Sequence, residues 1–482
     1  MTPGDLRARV RRCRASAQTD SLTVVLDLSE LAPRVAEALE HALLMPPALD
    51  GSPMPEQAPP DFTRRCRELA SDLSVRHEGD AIEFATIISA FVHECRHIHD
   101  LRSTRMGAEL LLHDSQVYAG VGGLLDRLAE WQDVHSGRSV PLPLVAELSS
   151  FGGEFEDIAQ AVLPSLIIRD RVWRWWNTRS EEPIVPGFSL LDLFEFVAFS
   201  TQIDWLAGVL GPEVAGIVST AILENEDRTT KYLRPGVVLS QMGLRHGHIF
   251  EPDLQDASRL FWSALNANGI EETVNDGRGT DLHAGTWFGL FGLRLVDPTN
   301  RPQVPVGLES AWAAEDVFER HGVPGPKQRY DAAAQALERL SNSRPWSMAT
   351  REPLLVAADV VPDYREMNRL ILENPNYHLP QTYVDLLISG ELTTVHVRTM
   401  GRDGAQGDFR TPSATPASHV GGARVASEAS QQMRLLLEGI GTARPPYPAA
   451  ILARMRAPRP EGLGLRFRNG LPAAKRRLGP SD

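Results

Sequence analysis

Lysine is scarce. Lys231, Lys327 and Lys475 are the only three in a chain of 482 residues with 49 basic side chains, so the cationic surface is almost all arginine. We read this as the bias of a GC-rich, bacterial coding sequence. Cysteine is equally scarce: Cys13, Cys66 and Cys95 are odd in number and have no CxxC spacing. A disulfide framework is not expected, and a reducing cytoplasm fits. No run of 18 uncharged apolar residues occurs, so no membrane-spanning helix is expected. The first twenty residues have charge but no apolar stretch behind it, unlike a secretory signal. Positive charge is in deficit overall. A net charge of −13 argues against a nucleic-acid binder. The glycine-rich stretch 277–292 lacks a following GKS or GKT and is no phosphate cradle. Internal repeats are absent.

What is present is an ordinary globular composition, 42% hydrophobic and 23% charged, in a chain long enough for two or three domains. Residues 1–60 read as an N-terminal strand-helix segment and a proline-rich linker. The first twenty are polar and loose, Leu22–Leu28 is a strand, and a helix follows from Ser29 to about Leu44. Residues 61–240 read as a helical domain, with helices over 61–73, through residues 80–100 and from Ser189 onward. Trp173, Trp175 and Trp176 fall between them and read as core or interface anchors. Residues 241–400 are mixed, with a helix over 328–340 and a strand over 393–397. Residues 401–482 turn to Gly, Ser, Thr, Pro and Ala, with 13 basic against 6 acidic side chains from residue 402 onward. Apart from a helix over 427–437, that basic tail is expected to be largely disordered, and it offers a handle for a protein partner.

The chemistry concentrates in residues 80–100. Asp80 and Glu83 have the spacing of a capping box. Phe84, Ile87, Ile88, Phe91, Cys95 and Ile98 make one apolar stripe at helical spacing. His93, His97 and Asp100 run along another face. Residues four apart on a helix lie one above the other, so His93 and His97 offer two imidazole nitrogens to one ion. Glu94 stands beside them, and Cys95 points away. Two neutral nitrogen ligands and a carboxylate suit a catalytic zinc site, in which the ion acidifies a water and Glu94 accepts its proton. None of the other histidines has Glu three residues before it, which disfavours a di-iron bundle.

A third ligand must come from elsewhere. Glu195 is favoured, because it lies on a strongly apolar helix among Leu191, Phe194, Phe196 and Phe199, where an unpaired carboxylate is costly. Asp192 or Asp100 would orient a histidine. Glu109 competes, and Glu154 and Glu156 are weaker options. Tyr118, Arg245, His246 and His248 are open choices for stabilising an oxyanion.

The run His93-Glu94-Cys95-Arg96-His97 resembles the HExxH motif of the zincin metallopeptidases. It is not the metzincin form, since Asp100 and Ser103 stand where that pattern has Gly and His. It is closer to the gluzincins, which take a third ligand from a Glu on a later helix. Arg96 is charged where the pattern has an uncharged residue. The resemblance implies a mainly α fold, α+β with few short strands, around a zincin-like helical core. It also implies a zinc-dependent peptidase of peptide or protein substrates. Two alternatives stand beside it: an inactive zincin-like scaffold or regulatory protein, and a metal hydrolase acting on a non-peptide amide.

Overall fold

A 26-residue helix, Glu78–Ser103, runs through the middle of the protein and carries the HExxH motif. In this computed structural model the described residues are 3–18, 23–43, 62–113, 134, 140–142, 187–224, 232–238, 253–270, 284–297, 309–342, 355–373, 396–400, 406–410 and 467–469. They are mainly helical, with few short strands. Phe84, Ile87, Phe91, Cys95 and Ile98 bury the expected stripe of the motif helix. They pack with residues of Phe62–Arg76, Pro326–Asn342 and Leu355–Glu373. Cys95 thus sits in the core and away from the histidines, as its helical phase requires.

The other side of the motif helix is covered by a second long helix, Leu190–Leu210. Ser189 caps it: its Oγ accepts from Asp192 N at 3.0 Å, while the Asp192 carboxylate accepts from Ser189 N at 3.1 Å. Gly211, with φ of 91°, ends it, and Pro212 opens the next helix, Pro212–Leu223. Leu190–Leu210 is long and apolar enough to cross a membrane by length and composition alone, yet it is largely buried inside the protein. A helix apolar on all sides is what a core position demands.

The sheet is small and joins distant parts of the chain. Thr23–Asp27 pairs antiparallel with Arg14–Gln18 and parallel with His396–Met400, which pairs antiparallel with Gln406–Arg410. A parallel pair needs a long crossover, and here most of the helical body lies between its two strands. The strand expected over 393–397 begins three residues later. Gln406–Arg410 and Phe467–Asn469 are short strands within the stretch expected to be a loose tail. The tail helix over 427–437, the tryptophan cluster, and the candidates Tyr118, Glu154, Glu156, Arg245, His246 and His248 lie outside the described residues.

Two local expectations are corrected. Within the first twenty residues, expected to be loose, Pro3–Arg12 is a helix and Arg14–Gln18 a strand. Asp80 and Glu83 do not form a capping box, because the motif helix begins at Glu78, with His77 at the cap and no side-chain cap bond. The two carboxylates instead hold Arg9, at 3.1 and 2.9 Å, and Glu83 also accepts from Ala32 N at 3.0 Å. Glu83 is buried, and a buried carboxylate takes a cation and backbone donors before it takes a helix end.

The motif helix ends at Thr104, whose hydroxyl donates to the Asp100 carbonyl at 2.6 Å and accepts from Gly107 N at 3.2 Å. Gly107 is required there, since a Cβ would lie 2.4 Å from the Leu101 carbonyl oxygen. Helical residues 105–113 then turn away. His113 is buried there, and burial pushes its imidazole down to about 4. An unfolded histidine takes its proton near pH 6.5. The stability that His113 contributes is therefore complete above 6.5 and lost as pH falls from 6.5 to 4, roughly 3 kcal/mol in all. Urea midpoints at pH 7.5 and 4.5 should fall further apart in the wild type than in His113→Phe. Equal acid losses would remove His113 as the titrating group.

Candidate metal centre

His93 and His97 present Nε2 atoms to each other at 3.2 Å on adjacent turns of the motif helix. Helix Leu190–Leu210 brings Glu195 across from the facing side, its Oε2 at 3.3 Å from His93 Nε2 and 3.9 Å from His97 Nε2. Among the described residues, these three form a group that can hold a metal ion.

The distances test the fit. They define a triangle whose centre lies about 2.0 Å from all three atoms, matching bonds of roughly 2.0–2.1 Å to nitrogen and oxygen ligands. The donor set, two imidazoles and a carboxylate, is one that divalent transition ions accept.

The protonation of the pair agrees with a cation-seeking site. Burial would push His93 down, but its hydrogen bond to Glu195 and the charges of Glu94 and Glu195 outweigh that, and its pKa is raised. Burial and the neighbouring His93 together push His97 down. Glu94 is half-buried beside the pair and is not one of the three convergent groups.

The orienting candidates are placed elsewhere. Asp192 caps its own helix through Ser189. Asp100 faces Arg96, whose Nε donates to both carboxylate oxygens at 2.9 and 2.8 Å, and His99, whose Nδ1 lies 3.0 Å away. Arg96 and Asp100 are each about 1% exposed, and the guanidinium and imidazole beside Asp100 outweigh its burial and hold its carboxyl low. This explains the charged residue inside the motif: Arg96 neutralises Asp100. Asp100→Asn removes that counter-charge from the guanidinium but keeps one acceptor, so we expect a loss of about 2–3 kcal/mol in urea unfolding. A loss under about 0.5 kcal/mol would show the pair to be dispensable.

Glu109 is also turned away. It pairs with Arg105 at 3.0 Å and accepts from Ile270 N at 2.5 Å. Two aromatic side chains that sequence reasoning missed stand at the centre. The Tyr232 ring meets His93 edge-on, 5.8 Å between centroids, and stacks on Phe199 at 4.8 Å. Phe194 lies 6.3 Å from the His97 ring. Phe194 was legible only as a core residue of its helix, and Tyr232 has no local signal at all. Compared with protein-family models, with curated proteins and with solved structures, the chain matches none.

Proposed function

We propose that the protein is a zinc-dependent hydrolase of peptide bonds. The observation that carries the reading is the convergence of His93 Nε2, His97 Nε2 and Glu195 Oε2 on one point, with Glu94 beside them. Zinc held there would acidify water and polarise the scissile carbonyl. His93 and His97 act as neutral lone-pair donors from adjacent helical turns, and Glu195 supplies the compensating charge from across the interface. The Glu94 carboxylate accepts the proton of the attacking water and returns it to the leaving amine. Tyr232 and Phe194 wall the two imidazoles and limit their exposure to solvent. On its cysteine usage we place the protein in a reducing cytoplasm, with the basic tail available to an acidic protein partner.

Elemental analysis tests the first half of the proposal. We expect about one zinc per chain in the purified protein and none in His93→Ala. Equal metal in both would remove the centre. Cleavage of an unfolded protein substrate by the zinc form tests the second half. Stoichiometric zinc without turnover of peptide substrates would remove the peptidase reading while leaving the metal site standing.

A further inference from the structure

Four helices that follow the metal-site helices in the chain enclose a cavity of about 310 Å³. They are Asp253–Leu265, Glu309–Arg320, Pro326–Asn342 and Leu355–Glu373. The volume falls at the small end of ligand pockets, roughly 300–1,000 Å³. None of the lining residues belongs to the metal centre.

The walls are aromatic. Trp262 comes from the first of these helices, Tyr330 from the third and Tyr364 from the fourth. The two tyrosine rings are nearly parallel, 12° apart with centroids at 5.9 Å. Their hydroxyl hydrogens are engaged elsewhere: Tyr330 donates to the Arg365 carbonyl and Tyr364 to Asn266 Oδ1, each at 3.2 Å. The lining charges are matched. Both carboxylate oxygens of Glu315 bind the Arg329 guanidinium, and Arg259 has an interaction of its own. Such a lining suits an uncharged ligand. Depth follows from exposure. Glu315 has a side chain 40% exposed and Leu372 is 54% exposed, so both stand at the mouth. Tyr364 and Asn368 are each 1% exposed and form the floor.

Asn368 is the polar group of that floor. Its amide nitrogen donates to the Ser103 carbonyl at 2.9 Å and to the Tyr364 carbonyl at 2.7 Å. Carbonyls only accept, so the end facing them is nitrogen, and both its hydrogens are used. The amide oxygen is left as an acceptor with no partner among the described residues. A buried acceptor without a donor is costly, and in a cavity it favours a ligand that brings one. The floor is also held in place beforehand. Ser103 ends the motif helix, and Asn266 Oδ1 accepts from Arg105 N at 2.9 Å. Binding there orders little that is not already fixed.

We infer that this cavity binds a small, flat, uncharged aromatic ring with one N–H donor, of the size of indole. The ring packs on Trp262, Tyr330 and Tyr364, and its N–H donates to Asn368 Oδ1. A free molecule and the side chain of a peptide offer the same chemistry. The inference is independent of the metal reading.

The test is calorimetric titration of the full chain with three probes. Indole has the ring and the donor. Indene has the same shape without the N–H. N-acetyl-tryptophanamide carries the ring on a blocked peptide unit. We expect indole to bind saturably, with Kd below about 1 mM, and about 10-fold more tightly than indene, which leaves the Asn368 oxygen without a donor. Ser263→Phe puts a ring into the cavity from its wall and leaves the floor bonds intact, so it should abolish indole binding with a melting temperature near that of the wild type. Tyr330→Ala removes a wall on the partly exposed side and should weaken indole about 10-fold. Tighter binding of N-acetyl-tryptophanamide than of indole assigns the ring to a peptide, and weaker binding to a free molecule. Absence of saturable indole binding overturns the inference. So does equal binding of indole and indene, or indole binding that neither variant reduces.

Discussion

Glu195→Ala lowers zinc affinity by well over 100-fold, whereas Glu109→Ala leaves zinc affinity nearly unchanged and unfolds the protein more easily. The sequence favours Glu195 with Glu109 as its competitor, and the structure separates the two. Glu195 Oε2 lies 3.3 Å from His93 Nε2 and 3.9 Å from His97 Nε2. Removing it strips the centre of one of its three convergent groups and of the carboxylate nearest the histidine nitrogens, a larger change than the roughly 10–100-fold expected for an outer partner. It also relieves an acid at the edge of an apolar interface, so the metal-free variant should be at least as stable as the wild type. Glu109 is buried against Arg105 and bonded to the backbone of Ile270. Its removal leaves a buried guanidinium without its partner, at a cost of about 3–5 kcal/mol. Gly269 is packed so closely there that a Cβ would lie 2.5 Å from both side chains, so little repacking is available. Zinc titration against a chelator and urea unfolding of the metal-free forms separate the two. The opposite ranking in the titration would move the third ligand to Glu109.

What the sequence made legible was local periodicity and its violations. The apolar stripe of the motif helix follows from spacing alone, as does the separate face of His93 and His97. The Leu190–Leu210 helix announced itself by Ser189 at its start and by an apolar run that only a buried helix tolerates. Glu195 stood out because a carboxylate in such a run needs a cation. Non-local charge pairing was not legible. Asp80 and Glu83 match a helix cap by spacing, but Arg9, over seventy residues earlier, claims both. Asp100 shares a face with the histidines by helical phase, yet Arg96 is within reach at i,i−4, and a buried pair of opposite charges outcompetes a hydrogen bond to a neutral ring. The parallel pairing of Thr23–Asp27 with His396–Met400 leaves no local mark, because its register is set by how the helical body folds between the strands. Tyr232 was invisible for the same reason: only the packing of two helices places it against His93.

Glu94→Gln keeps about one zinc per chain and lowers peptide turnover by about 10²–10⁴-fold. Glu94 follows His93 by one residue, about 100° around the helix, so it shares the site's neighbourhood without sharing its point of convergence. Its charge acts on both histidines, and its side chain is half-buried, a position from which a water at the site can be reached. Gln has nearly the same shape and still offers a carbonyl oxygen to that water, but it cannot hold the abstracted proton. Binding of substrate and of zinc should therefore survive, and the loss should fall on kcat with little change in KM. Glu94→Asp keeps the carboxylate and withdraws it by one methylene, so its activity should lie between the other two. The three variants separate a base from a ligand. Zinc lost from Glu94→Gln along with activity would make Glu94 part of the metal's support, and turnover retained by Glu94→Gln would assign the proton to another group.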